Sequence, residues 1–176
     1  MLSSKMRKAM VAAAVCAVLA IVGVQVVRLQ VERRHRTGCM CRLGNIGRGI
    51  IMYSLDVKGS FPPNIPCVWG IEGSTGPSGL YRTFLLCPGS GTSPGEWADA
   101  DQWMDYIYIR WPTTWEQTPS NYPVMYDRRM SHHRGKGIHV LQRDAGVFWD
   151  EGAEWLRRFK AEHPEYKITL PEGCEP

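Results

Sequence analysis

The chain has 176 residues, 44% of them apolar and 22% charged, with a formal net charge of +4. Setting aside an apolar N-terminal stretch leaves about 145 residues, enough for one domain with a real core. The positive excess sits beside that stretch, with Lys5, Arg7 and Lys8 before it and Arg28, Arg33, Arg34, Arg36, Arg42 and Arg48 after it. Arginines placed so suit lipid headgroups. With no recognition helix, zinc-finger spacing or aromatic-basic strip, nucleic acid is not an expected partner.

In chain order, residues 1–8 are a basic N-terminal segment. From 9 to 27 there is no charged residue, and Gln25 is the only strongly polar one. At about 1.5 Å per residue, a helix here nearly spans a hydrocarbon core of roughly 30 Å. Residues 9–28 are therefore expected to form a transmembrane helix. Cleavage as a secretory signal is disfavoured, because Gly23-Val24-Gln25-Val26-Val27-Arg28 lacks a small-x-small site. Ala13-Ala14-Val15-Cys16 is likewise a poor lipoprotein box, since valine precedes the cysteine. Leu43, Ile46, Ile50 and Ser54-Leu55 recur every three or four residues, which predicts that 29–56 continue the same helix into a head domain.

Asp56-Val57-Lys58-Gly59 is a turn signal, and Pro62-Pro63 forces an extended path. Residues 57–103 are dense in glycine and proline and read as a loop-rich variable region, with one short apolar element at 79–87. Residues 104–176 are expected to hold an antiparallel sheet and a C-terminal helix. Strands are predicted at 104–110 and 122–126, and a hairpin at 137–142 and 147–149 that turns through Arg143-Asp144-Ala145-Gly146. Asp150 is expected to cap a helix with Trp155, Leu156 and Phe159 on its apolar stripe, stopped by Pro164. The tail from 168 to 176 is expected to be extended. The predicted class is α+β: a long N-terminal helix packed on a small antiparallel sheet.

Arg42-Leu43-Gly44-Asn45-Ile46-Gly47, Met52-Tyr53, Asp56 and Gly59-Ser60-Phe61-Pro62-Pro63 together resemble the post-anchor helix of pseudopilin-like proteins. These are the prepilin-type, type II secretion-like or type IV pilin-like proteins of planctomycete-type bacteria. In this resemblance Cys41 occupies the place of the family's cysteine. Leu86-Cys87-Pro88 looks like its Cys-Pro-Ser loop and Tyr106-Ile107-Tyr108 like its central strand. The stretch from His132 to Val147 is similar to its terminal signature, with Asp144-Ala145 for the family's Asp-Gly and His139 for its asparagine. The resemblance covers residues 5 to about 150. It implies a pilin-like fold, an inner-membrane location with the head outside the cytoplasm, and partners among other pilin-like subunits or secretion-system membrane proteins. The count of flanking arginines and lysines points the head the other way; the pilin-like layout sets the expectation. At the processing site the family has glycine followed by Phe-Thr-Leu-Ile-Glu. This chain has Lys8-Ala9-Met10-Val11-Ala12-Ala13, with neither the glycine nor the glutamate.

Six cysteines are present. Cys39-Met40-Cys41 is not a Cys-x-x-Cys spacing, and on a helix the two thiols point apart. Cys67, Cys87 and Cys174 are candidates for disulfides in an oxidising compartment or for small buried thiols, and sequence does not choose between these. His132, His133, His139, Asp127 and Asp144 can gather near one hairpin as metal ligands, against the plainer alternative of structural hydrogen bonds. Asp99, Asp101 and Asp105 are spaced for a calcium site on the outer loop. Trp97, Trp103, Trp111 and Trp115 lie in the loop-rich middle; most are expected to be packing or loop anchors, while an exposed pair can stack on sugars or meet a protein. Cys87 with His133 is a conceivable nucleophile and base, but nothing local activates the thiol. No catalytic motif is present and no enzyme activity or cofactor is expected, calcium excepted. The expected function is a membrane-anchored pseudopilin-like structural subunit or accessory. The alternative is a non-polymerising, membrane-tethered binding module using its tryptophan loop, and an anchored hydrolase ranks last.

Overall fold

A computed structural model describes residues 4–69 and 82–174. The fold is α+β. Helix α1 (Ser4–Asp56) is followed by short 3-10 turns at Pro66–Trp69, Arg82–Leu85 and Trp97–Asp99 and by the one-turn helix α2 (Ala100–Trp103). Then come strands β1 (Tyr106–Tyr108) and β2 (Pro123–Asp127), a 3-10 turn at Met130–His133, strands β3 (Gly137–Gln142) and β4 (Val147–Glu151), and helix α3 (Glu154–Glu162). The chain divides into two compact units, one ending at Arg34 and one beginning at His35.

In the first unit the described apolar side chains of α1 from Met10 to Val27 are exposed. Val11, Val18, Leu19, Ile21 and Val27 are all about 60% exposed. The helix has the length and apolarity to cross a membrane and is compatible with a single-pass anchor.

In the second unit α1 carries a buried stripe of Cys39, Leu43, Ile46 and Ile50, each fully enclosed, with Ser54 at its end. Steps of four, three, four and four keep these on one face. Leu55, paired with Ser54 in the sequence pattern, points outward and is 76% exposed. The helix stops because Lys58 and Gly59 both turn left-handed, at φ 50° and 80°. The Gly59 N–H then reaches back to the Ser54 carbonyl at 2.7 Å, closing the end of the helix.

The sheet is an antiparallel meander in the order β1-β2-β3-β4. Register places Tyr106 opposite Asp127, and His139 opposite Trp149. The same face carries Tyr108, Met125, Leu141 and Val147 two residues further along their strands. This face meets α1: Cys39 bonds to Tyr106 and Asp127, and Arg36 lies over the Trp149 ring at 4.0 Å. The opposite face, with Tyr126 and Phe148, meets α3 and the tail. Phe148 packs edge-on to Trp155 at 5.1 Å, and the Tyr126 hydroxyl donates to the Thr169 carbonyl. Both faces of the central strands are therefore buried.

The predicted hairpin forms β3 and β4, and its turn places Ala145 at φ 65°. Asp150 caps α3, but from inside β4. The backbone turns left-handed through Gly152 and Ala153, and the Asp150 carboxylate accepts the N–H groups of Trp155 and Leu156, both at 2.9 Å. The apolar element expected at 79–87 is a 3-10 turn from Arg82 to Leu85, followed by buried Leu86 and Cys87; its first three residues lie outside the described ones. The tail makes a parallel bridge between Arg129 and Glu172.

Candidate functional site

Between α1 and the sheet the core is polar at one point. Cys39 comes from α1, Cys87 from the loop after the Arg82–Leu85 turn, Asp127 from the end of β2, and His133 from the turn that follows it. One ligand atom of each lies within 4.8 Å of all the others, and all four residues are buried. The Cys39 thiol donates to Asp127 Oδ1 at 3.0 Å. His133 Nε2 is 3.2 Å from Asp127 Oδ2 and 3.7 Å from Cys87 Sγ.

Each ligand-bearing segment is held by its own local chemistry. The Cys87 loop is tied from three sides. Asp105 Oδ2 accepts its N–H at 2.8 Å, the Arg42 guanidinium donates to the Leu86 carbonyl, and Ser90 Oγ donates to the Cys87 carbonyl at 2.9 Å. Two glycines permit the close approach. A Cβ on Gly38 would stand 2.9 Å from Pro88 Cγ, and one on Gly89 would stand 2.5 Å from the His132 carbonyl oxygen. The His133 turn ends in a left-handed pair, Arg134 and Gly135, and is tied to the tail by the Met130 N–H on the Glu172 carbonyl. Asp127 accepts the His139 backbone N–H on Oδ2, with His139 Nδ1 at 3.2 Å. The Tyr106 hydroxyl lies 3.3 Å from both Cys39 Sγ and the Leu86 carbonyl. His133 packs edge-on against the rings of His139 and Trp149, at 4.9 and 5.4 Å.

Electrostatics divide the four groups. Burial raises Asp127, but hydrogen bonds from His133 and His139, with their charges, outweigh it and hold the carboxyl well below the usual range. Burial lowers His133, and its bonds to Asp127 and Cys87 overcome this and push it up to about 9. The neighbouring Cys39 thiol lowers the Cys87 thiol strongly against burial, helped by His132 and His133. Burial, reinforced by Cys87 and Asp127, raises Cys39. These directions favour the charged forms of Cys87 and His133 and the neutral thiol of Cys39. Cys87 is 2% exposed and His133 1%. A low thiol pKa alone does not make a nucleophile where a substrate has no way in.

Of the five residues expected as metal ligands near the hairpin, Asp127 and His133 join this cluster, and His139 lies beside it against Asp127. Asp105 is buried next to it but is occupied by the Cys87 N–H and the Thr92 hydroxyl, with His132 Nε2 at 3.7 Å. Asp99 and Asp101 are exposed, and Asp99 meets Gln102. Among the described residues the three aspartates form no calcium cage, because one faces the core and two face outward. Asp144 stays in the hairpin turn, where its Oδ1 accepts the Gly146 N–H at 2.8 Å. The tryptophan set also divides. Trp111 and Trp115 are core residues, 3% and 9% exposed, packed inside rather than offered to a surface ligand. Trp111 joins Tyr122, Phe159 and Tyr166 in an aromatic cluster and donates to the Pro123 carbonyl at 2.8 Å. Trp115 packs on Phe61 at 5.0 Å. Trp97 and Trp103 are half-buried and meet edge-on at 6.1 Å, with Arg82 over the Trp97 ring.

The cysteine that α1 brings to the site is Cys39; Cys41, assigned the family's position by resemblance, is exposed. The apolar spacing held the signal, because Cys39 stands four residues before Leu43 on the buried stripe. All six cysteines are free thiols, with Cys67, Cys87 and Cys174 buried. Comparison with protein-family models, curated proteins and solved structures finds no match.

Proposed function

We propose that the protein is a single-pass, membrane-anchored structural subunit or accessory of a type II secretion-like or type IV pilus-like system, with its head outside the cytoplasm. One observation carries this most: α1 is apolar and uncovered in its first half, and in its second half presents a stripe buried in an α+β head. That is the organisation a pilin-like subunit needs, with one helix serving lipid at one end and the domain core at the other. The small residues Ala12, Ala13, Ala14, Ala17 and Gly23 suit helix-on-helix packing between neighbouring anchors in the bilayer. A structural role is in keeping with the Cys87–His133 pair, which is enclosed rather than open to a substrate.

The missing glycine and glutamate at the processing stretch favour a second reading, a tethered head that does not polymerise. One experiment separates the two. Single cysteines are placed along residues 12–23 of full-length protein in native membranes and oxidised. Assembly predicts crosslinked dimers on one helical face, at residues three to four apart. A tether that does not assemble gives no crosslinks. Release of the protein from membranes by an alkaline wash contradicts both.

A further inference from the structure

We propose that Cys39, Cys87, Asp127 and His133 form a binding site for a divalent zinc-class metal ion. The inference is independent of which side of a membrane the head faces and of whether the protein assembles. It rests on the meeting of four ligand atoms from four separate segments in the core of the head.

Distance is the first argument. Tetrahedral zinc with Zn–S of about 2.3 Å and Zn–N or Zn–O of about 2.0–2.1 Å sets ligand atoms apart by about 3.3 Å for N and O, about 3.5 Å for S and N, and about 3.8 Å for two S. The observed separations are 3.2 Å for His133 Nε2 to Asp127 Oδ2 and 3.7 Å for Cys87 Sγ to His133 Nε2, with every pair inside 4.8 Å. Two of the six edges thus already match such a tetrahedron, and the remaining pairs lie close enough for small shifts to close on an ion.

Ligand chemistry is the second. Two thiolates, an imidazole and a carboxylate match zinc, whereas calcium and magnesium require oxygen. Charge is the third. Asp127, Cys87 and Cys39 concentrate acidic groups in a closed core, where unpaired charge is costly. Zinc takes cysteine as thiolate and histidine as neutral imidazole, so two thiolates and a carboxylate set against a divalent ion leave a single net negative charge. The His139 backbone N–H and the Tyr106 hydroxyl already point at the ligands that would carry it. The outer shell is thus partly in place: Tyr106 serves Cys39, His139 serves Asp127, and the rings of His139 and Trp149 fix His133. Four protein ligands with no open position make a structural site. Its effect is to fasten α1 to the sheet, the Cys87 loop and the Met130–His133 turn at one point.

The test uses full-length protein purified in detergent, without chelator, from cells grown with added zinc. Metal content and intact mass are measured, and cobalt(II) is then exchanged into the site. The expected result is about one zinc per chain, and a cobalt form with tetrahedral visible bands and near-ultraviolet thiolate charge transfer. Cys39→Ser and Cys87→Ser lower metal affinity by at least about tenfold, while Cys41→Ser retains it. Cys87→His supplies a substitute ligand and keeps cobalt with a weaker charge-transfer band, which separates ligand loss from misfolding. Three results overturn the proposal: wild-type protein with less than about a tenth of an equivalent of metal; an intact mass short by two hydrogens with Cys39 joined to Cys87; or Cys41→Ser losing metal as completely as Cys39→Ser.

Discussion

Ile46→Ala and Val22→Ala test the division of α1 into a lipid-facing and a core-facing half. Ile46 is fully enclosed and Val22 is 52% exposed, although both sit on the same helix. Truncating isoleucine to alanine removes three carbons, about 2.4 kcal/mol at about 0.8 kcal/mol per buried group, and the residual cavity brings the cost to about 3 kcal/mol. The second unit has roughly 140 residues. At about 2.1 cal/mol/K of unfolding entropy per residue, each kcal/mol shifts its melting temperature by about 3 °C. Ile46→Ala should therefore lower the melting temperature by about 10 °C, and Val22→Ala by no more than about 2 °C. Tryptophan fluorescence of full-length protein in detergent reads this cleanly, because all seven tryptophans lie at or beyond residue 69. Equal small shifts for the two variants would refute the placement of residues 39–54 in the core.

Three further outcomes follow from the same geometry. Ala145→Gly should stabilise the head by about 1 kcal/mol in urea titration, since alanine there is held at φ 65° where glycine is unstrained. Asp150→Ala should cost about 1–2 kcal/mol in the same assay, because the N–H groups of Trp155 and Leu156 lose their only described side-chain acceptor. If the four-ligand cluster holds zinc, a strong chelator should lower the melting temperature of wild-type protein by about 6 °C or more, equivalent to about 2 kcal/mol. The same chelator should leave Cys87→Ser unchanged.

Strand positions were legible because alternating apolar residues and the Arg143-Asp144-Ala145-Gly146 turn fix register locally. The helix from residue 9 to 56 was legible for the opposite reason: its spacing persists while its polarity changes. Ala145 shows how a motif departure becomes physical, since the resembled Asp-Gly places glycine where the backbone is left-handed. What sequence left hidden depends on contacts between distant segments. Asp150 caps from inside a strand only because Gly152 and Ala153 fold the chain back. Trp111 and Trp115 read as loop residues, yet the loop carries them into the core against Phe159 and Phe61. Cys87 and His133 were paired as a possible nucleophile and base. Cys39 and Asp127 turn that pair into a four-ligand cluster, and no local spacing announces a site built from one residue of each of four segments.

The most direct measurement is thiol labelling of native membranes, opened so that both sides are reachable, with a membrane-impermeant maleimide. Cys16 and Cys41 are both on the protein surface, whereas Cys39 and Cys87 are enclosed. A thiol within lipid is out of reach of a membrane-impermeant reagent. The account predicts that Cys41 reacts while Cys16, Cys39 and Cys87 remain unmodified until detergent denaturation. Labelling of Cys16 as fast as Cys41 would place the N-terminal half of α1 in water and contradict the account at its foundation.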